Sequence, residues 1–119
     1  MTASSSRQLE SLRRLLGVIL ECNTFQQAKL AGVGLAEDLE SVENFIVRCP
    51  FTTKEELAQD RLENPPYGTN LSYSLERYVR FHQTSGTKGE PMMWLDASED
   101  WDWMLGNWDH VLEAAGVEP

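Results

Sequence analysis

The sequence predicts an α+β fold that is mostly helical and carries one β-hairpin. Apolar residues recur at helical spacing from residue 7 to residue 22, which indicates an amphipathic helix. Thr53 and Glu56 have the spacing of a capping box, which predicts the start of a later helix. Residues 78–82 and 92–95 have strand-like composition and flank a loop rich in Ser, Thr and Gly. Two strands joined by such a loop form a hairpin.

Four helices are expected before the hairpin. The first, over 7–22, has its apolar stripe at Leu9, Leu12, Leu15, Leu16, Ile19 and Leu20. A shorter helix over 25–31 should stop at Gly32, and a third over 37–47 should bury Leu39, Val42, Phe45 and Ile46. The capping box at Thr53 opens the fourth helix, which Pro65 and Pro66 end.

A tryptophan-rich helix follows the hairpin. Residues 96–99 offer a second capping candidate, and the helix should run to about Ala115, with Gly116 at its end. One face carries Trp101, Met104, Leu105, Trp108, Val111, Leu112 and Ala115, and core packing is its simplest interpretation. Trp103 lies off that face, which predicts a second packing surface against the remainder of a larger protein or another copy of this chain.

Length limits the chain to one small domain. A chain of 119 residues buries roughly two thirds of the surface that its unfolded form exposes. We expect a helical segment over 1–76, followed over 77–119 by the hairpin and the tryptophan-rich helix, all within one compact unit.

Charge and composition exclude several classes of function. The net charge of −9 disfavours a nucleic-acid partner, which requires a basic face. The two cysteines are too few for a zinc pattern, and the acidic residues after Lys88 are typical of a solvated helix face, so no metal site is predicted. The longest apolar run is far shorter than the roughly 20 residues of a membrane span, and the polar N-terminus is unlike a signal peptide. A cytoplasmic protein is expected.

The hairpin loop from Thr84 to Gly89 is the candidate binding site. Glycines adopt positive φ and let backbone N–H groups converge on an anion, while hydroxyls and a lysine add donors and charge. The loop lacks the Walker A pattern, so a P-loop NTPase is disfavoured. Ordinary hairpin-turn chemistry also explains Ser, Thr and Gly here, and that alternative stays open.

The order of residues from His82 to Pro91 resembles the phosphate-binding signature of adenylate-forming enzymes, and its flanks resemble the phenylacetate–CoA ligase branch. Those flanks are residues 49–57, 65–68, 79–82 and 114–117, so that the similarity runs from about Phe25 to Val117. Two positions depart from the family. Lys88 stands where the family usually has threonine, and Glu90 where it often has a basic residue.

The resemblance implies a ligase that joins a carboxylate to the α-phosphate of ATP, releases pyrophosphate and then lets the thiol of CoA displace AMP. It implies that the β- and γ-phosphates are held, with Mg²⁺, by Thr84, Ser85, Gly86, Thr87, Lys88 and Gly89. Arg80 and His82 would give neighbouring support, and no catalytic residue is assigned.

Later motifs of the family are not found here, so we expect an N-terminal fragment that is not catalytic by itself, with CoA relevant only to a full-length enzyme. The alternatives are a non-catalytic helical module with a relic loop, which associates with itself or with a partner through the Trp101–Trp108 helix, and a small nucleotide-binding protein.

Overall fold

A computed structural model describes residues 3–35, 39–86 and 89–117. Within these ranges it has the predicted α+β architecture, with five α-helices and one antiparallel hairpin. In chain order the elements are α1 (Ala3–Cys22), α2 (Thr24–Leu30), α3 (Val42–Arg48), α4 (Lys54–Glu63), β1 (Tyr78–Gln83), β2 (Met93–Ala97) and α5 (Ser98–Ala114). Among these helices, none is long and apolar enough to cross a bilayer.

The chain divides into two compact units. The first contains α1 to α4 and ends at Tyr73, and the second begins at Ser74 and contains the hairpin and α5. The core of the first unit is a leucine cluster supplied by α1, α2 and the segment that leads to α3. Its buried members are Leu9, Leu16, Leu30, Leu35 and Leu39.

Helix α1 begins four residues earlier than predicted and ends at Cys22, as predicted. Polar residues can extend a helix that is already stabilised by its apolar stripe. Only the position of the first helical residue therefore differs from the prediction. Leu16 is only 2% exposed, whereas Leu15 of the predicted stripe is 54% exposed. Buried Asn23 then caps α2, because its side chain accepts a hydrogen bond from the Gln26 amide.

Helix α3 begins later than the predicted residue 37. Ser41 is its N-cap and accepts the Asn44 amide at 3.0 Å, so the helix starts at Val42. Leu39 is buried as expected but lies before the helix, where the Arg13 guanidinium donates two hydrogen bonds to its carbonyl. The predicted burial of Ile46 is wrong, because its side chain is 70% exposed. Residues 37 and 38 of the predicted helix lie outside the described residues.

The predicted capping box at the start of α4 is confirmed. The Thr53 amide donates to Glu56 Oε2 at 2.7 Å, and the Glu56 amide donates to Thr53 Oγ1 at 3.2 Å. The helix ends at Glu63, just before the two prolines. After it, Asp60 holds the returning loop: its carboxylate accepts the backbone amide and the hydroxyl of Thr69, both at 2.6 Å.

The hairpin pairs β1 with β2 in antiparallel register. Phe81 lies opposite Leu95 and His82 opposite Trp94, with an irregularity between Tyr78 and Arg80. Strand β1 ends one residue later than predicted, whereas β2 begins one residue later and ends two residues later than predicted.

Helix α5 starts at Ser98 after the N-cap residue Ala97, so the predicted cap at residue 96 is displaced by one position. The Ala97 amide donates to Asp100, which satisfies a donor at the helix start. The predicted end is confirmed: Gly116 has φ +73°, and the Val117 amide reaches back to the Leu112 carbonyl at 3.0 Å. This is the Schellman arrangement.

Candidate functional site

Thr84 closes the loop at the tip of the hairpin. Its amide donates to the Met92 carbonyl at 3.0 Å, and its Oγ1 accepts the Met92 amide at 2.9 Å. Thr84 therefore serves first to fix the loop ends. A hydroxyl can donate one hydrogen bond while it accepts another, so this role does not by itself use the Thr84 proton.

Gly86 makes the loop fold back on itself. It has φ +62°, in the left-handed region, and a Cβ at this position would lie 2.9 Å from Pro91 Cγ and 3.0 Å from the Gly89 carbonyl oxygen. Gly89 also has positive φ, at +124°, but a Cβ there would meet nothing within 4 Å. Both glycines thus have the backbone conformation for which glycine was expected, and only Gly86 is also sterically confined.

The structure describes four of the six predicted site residues. Thr87 and Lys88 lie outside the described residues. Ser85 and Gly89 are exposed, and Gly86 is half-buried. Within the described ranges, no hydrogen bond occupies the amides of Ser85, Gly86 and Gly89. These three backbone amides and the Ser85 hydroxyl are the candidate donors at the tip of the hairpin.

An aromatic cluster beneath the loop joins β1 to α5. The imidazole of His82 stacks on the Trp101 indole, with ring centroids 5.6 Å apart and planes 11° from parallel. The Arg80 guanidinium carbon lies 4.2 Å from the Trp101 ring centroid, within the range of a cation–π contact. Arg80 and His82 alternate along β1 and so face the same side of the hairpin. This alternation could be seen in the sequence, but their shared partner Trp101 could not.

His82 also approaches a carboxylate. Its Nε2 is shielded from solvent and lies 2.8 Å from Asp96 Oδ2, but the ring N–H does not point at that oxygen. The two side chains are therefore close to each other without a directed hydrogen bond between them.

Acidic residues near the start of α5 are solvated, as the sequence suggested. Glu99 pairs with Arg77 at 2.8 Å, and both side chains are exposed. The backbone amide of Glu99 and then the Arg77 guanidinium hold the pKa of this carboxyl below its ordinary value of 4.5. In the described part of the chain, no group of three or more His, Cys, Asp or Glu residues is arranged to hold a metal ion.

Comparison with known proteins finds likeness in solved structures. No family model and no curated protein matches the chain. The crystal structure of an open conformation of 2-hydroxyisobutyryl-CoA ligase, in complex with 2-HIB-AMP and CoA, matches with a TM-score of 0.86 and 23% identity. That match covers 100% of this chain and 28% of the ligase chain. The same ligase in the thioesterification state matches with a TM-score of 0.74 and 27% identity, over 85% of this chain and 22% of that chain.

These matches show that the chain has the fold of about a quarter of an adenylate-forming CoA ligase. The postadenylation state in complex with R3-HIB-AMP gives the same result, with a TM-score of 0.85 and 22% identity over 100% of this chain and 25% of that chain. The expected kinship with adenylate-forming enzymes is thus supported at the level of fold, and the narrower assignment to the phenylacetate–CoA ligase branch stays a prediction.

Proposed function

We propose that this chain is the phosphate-loop portion of a phenylacetate–CoA-ligase-like enzyme, which activates a carboxylate with ATP and transfers the acyl group to CoA. The observation that supports it most is the loop at the tip of the hairpin, where Gly86 and Gly89 have positive φ within the fold of a ligase. The structural neighbours were crystallised with an acyl-AMP and, in two states, with CoA. Those ligands fit the two steps of this reaction.

The loop supplies donors to the phosphates that leave as pyrophosphate. The amides of Ser85, Gly86 and Gly89 bind the β- and γ-phosphate oxygens, and the Ser85 hydroxyl adds a side-chain donor. Thr87 and Lys88 complete the set in this proposal, with Lys88 as a mobile positive charge. Mg²⁺ would reach the site with the phosphates, since it is commonly held by substrate phosphates and one or two carboxylates. Such donors stabilise the charge that builds on the leaving group.

We infer that the chain binds ATP phosphates without turnover when it is alone. It spans about a quarter of the length of the ligase that it matches. In this proposal the acyl, adenine and CoA sites lie on the remainder of the ligase fold. This chain would hold the phosphates, and the remainder of the ligase fold would provide the other sites.

An NMR titration tests the proposal. We expect Mg-ATP to shift the amide resonances of residues 84–90 and AMP to leave them unchanged, because AMP lacks the β- and γ-phosphates. Lys88→Ala should weaken the Mg-ATP response by about tenfold, the scale of one charge-assisted contact. Lys54→Ala, at the exposed start of α4, is the matched control and should bind like the native chain. Equal shifts with AMP and ATP, or none with ATP, would refute phosphate binding.

Exchange of pyrophosphate into ATP tests the second part of the proposal. The isolated chain should show no exchange above background with any carboxylate. Exchange above background would show that the chain carries a complete adenylation site, contrary to the inference that it holds only the phosphate loop.

A second candidate function is a non-catalytic helical module with a relic loop. The exposure of the tryptophan-rich helix favours it, since Trp103 is 74% and Trp108 54% exposed. The same titration separates the two candidates, because a relic loop would leave every resonance of residues 84–90 unshifted by Mg-ATP.

A further inference from the structure

Only the first part of the apolar face of α5 packs against the hairpin. Trp101 and Met104 are half-buried, and Trp101 meets Arg80 and His82. The face then continues beyond them along the helix as a set of residues that we call the C-terminal stripe. Its members and exposed fractions are Leu105 (46%), Trp108 (54%), Val111 (54%) and Leu112 (43%). This corrects the expectation that the whole face is core.

An acidic row runs along one side of the C-terminal stripe. Asp102, Asp109 and Glu113 are spaced by seven and four residues, which places them above one another on the helix surface, and all three are exposed. The sequence contains no Lys or Arg after Lys88. The stripe is therefore bordered by negative charge that no Lys or Arg of α5 neutralises.

We propose that the C-terminal stripe docks in an apolar groove of the remaining part of the ligase fold, and that Lys and Arg side chains border this groove beside the acidic row. The inference rests on the proposed function. Its structural basis is that this chain folds like about a quarter of a longer ligase chain, with a TM-score of 0.86, while a helix of this quarter presents apolar residues to solvent. A partly exposed stripe of four apolar side chains that includes one tryptophan is consistent with the apolar, aromatic-enriched core of an interface.

Charge distinguishes this occupant from a second copy of the chain. A second α5 would bring a further acidic row and no Lys or Arg to the contact, and like charges across an interface disfavour association. The net charge of −9 adds a general repulsion between copies. A groove bordered by Lys and Arg side chains would instead be attracted to the acidic row.

A chimeric ligase tests the docking. The full 119-residue chain replaces the superposed segment of 2-hydroxyisobutyryl-CoA ligase, and thermal unfolding of the chimera is followed by calorimetry. We expect one cooperative transition, which Trp108→Asp lowers by about 5 °C or more, as expected for loss of an anchor residue in a protein of this size. Trp103→Asp is the matched control, because Trp103 is more exposed and lies on the opposite side of α5 from the stripe. It should leave the transition within about 1 °C.

The basic border is tested by charge reversal. Asp109→Lys should lower the transition of the chimera at low salt, and the difference should shrink at about 1 M salt, where charges are screened beyond roughly 3 Å. The proposal would be overturned if Trp108→Asp and Trp103→Asp changed the transition temperature equally. It would also be overturned if the chimera without these substitutions did not unfold in a single transition.

Sedimentation velocity of the chain by itself provides the second measurement. A monomer is expected. A dimer that Trp108→Asp dissociates and Trp103→Asp does not would identify a second copy as the occupant and overturn the inference. The Mg-ATP titration is independent of both experiments, so failure of docking and failure of phosphate binding give different results.

Discussion

Asp60 holds the loop that follows α4, and a double-mutant cycle tests how much this contact stabilises the first unit. The carboxylate accepts the amide and the hydroxyl of Thr69, both at 2.6 Å, and Asn64 Nδ2 donates to it at 3.2 Å. Gly68 has φ +79°, and a Cβ on it would collide with Asp60 Oδ2. The Asp60 carboxylate can therefore keep its position only while residue 68 has no Cβ.

The structure gives a magnitude for each variant. Asp60→Ala removes hydrogen bonds to a charged acceptor and leaves the Thr69 amide unsatisfied, which should cost about 2–3 kcal/mol of unfolding free energy. Gly68→Ala adds about 1 kcal/mol of left-handed backbone strain and also displaces the carboxylate, for a total of about 3–4 kcal/mol. The double variant should cost about 3–4 kcal/mol as well, because the contact can be lost only once.

Urea unfolding followed by far-UV circular dichroism measures the cycle. All four tryptophans lie in the second unit, so their fluorescence reports on the hairpin and α5 and not directly on the first unit. The expected coupling free energy is about 2–3 kcal/mol below additivity. Additive single effects would refute the proposed dependence between Gly68 and Asp60.

Three further predictions concern the core, an ion pair and the aromatic cluster. Leu16→Ala should lower the unfolding free energy by about 3 kcal/mol in the same urea assay, because the side chain is 2% exposed at the centre of the leucine core. Hydrogen bonding to Lys29 holds the pKa of Glu56 below its ordinary value of 4.5, so the stabilisation is present above that value and is lost as pH falls through the folded-state pKa. The melting difference between the native chain and Glu56→Gln should therefore vanish in acid, and a difference independent of pH would contradict the assignment. A double-mutant cycle of Arg80→Ala and Trp101→Leu should give about 0.5–1 kcal/mol of coupling, since Arg80 is exposed and Trp101 half-buried; urea unfolding followed by the fluorescence of the remaining tryptophans measures it.

Local signals in the sequence predicted the element ends that depend on neighbouring residues. Thr53 and Glu56 cap each other, and Gly116 ends α5, because these motifs are complete within a few positions of the chain. The start of α3 could not be predicted in the same way. The segment before it is held by Arg13, which reaches the Leu39 carbonyl from 26 positions away, and by Arg48, which donates to the carbonyls of Val33 and Gly34.

The candidate site also combines features that the local sequence predicts with features that depend on distant contacts. Positive φ at Gly86 and Gly89 follows from residue type, and the sequence predicted where the chain turns. The pairing of Thr84 with Met92 assigns that threonine a structural role that a phosphate-binding interpretation did not include. Contacts of His82 with Trp101 depend on how the hairpin packs on α5, and no local pattern encodes such packing.

The two ends of helix α5 differ in what they contact within the second unit. A two-stranded hairpin is marginally stable in water by itself, so the loop at its tip depends on the helix that packs on it. Trp101, near the start of α5, makes that contact through Arg80 and His82, whereas Trp108 lies two turns further on and is half-exposed. Because a helix of 17 residues is about 25 Å long and stiff, the two ends can bind different surfaces without competing. The first end supports the hairpin and its loop, and the second is exposed to solvent, as the proposed docking requires.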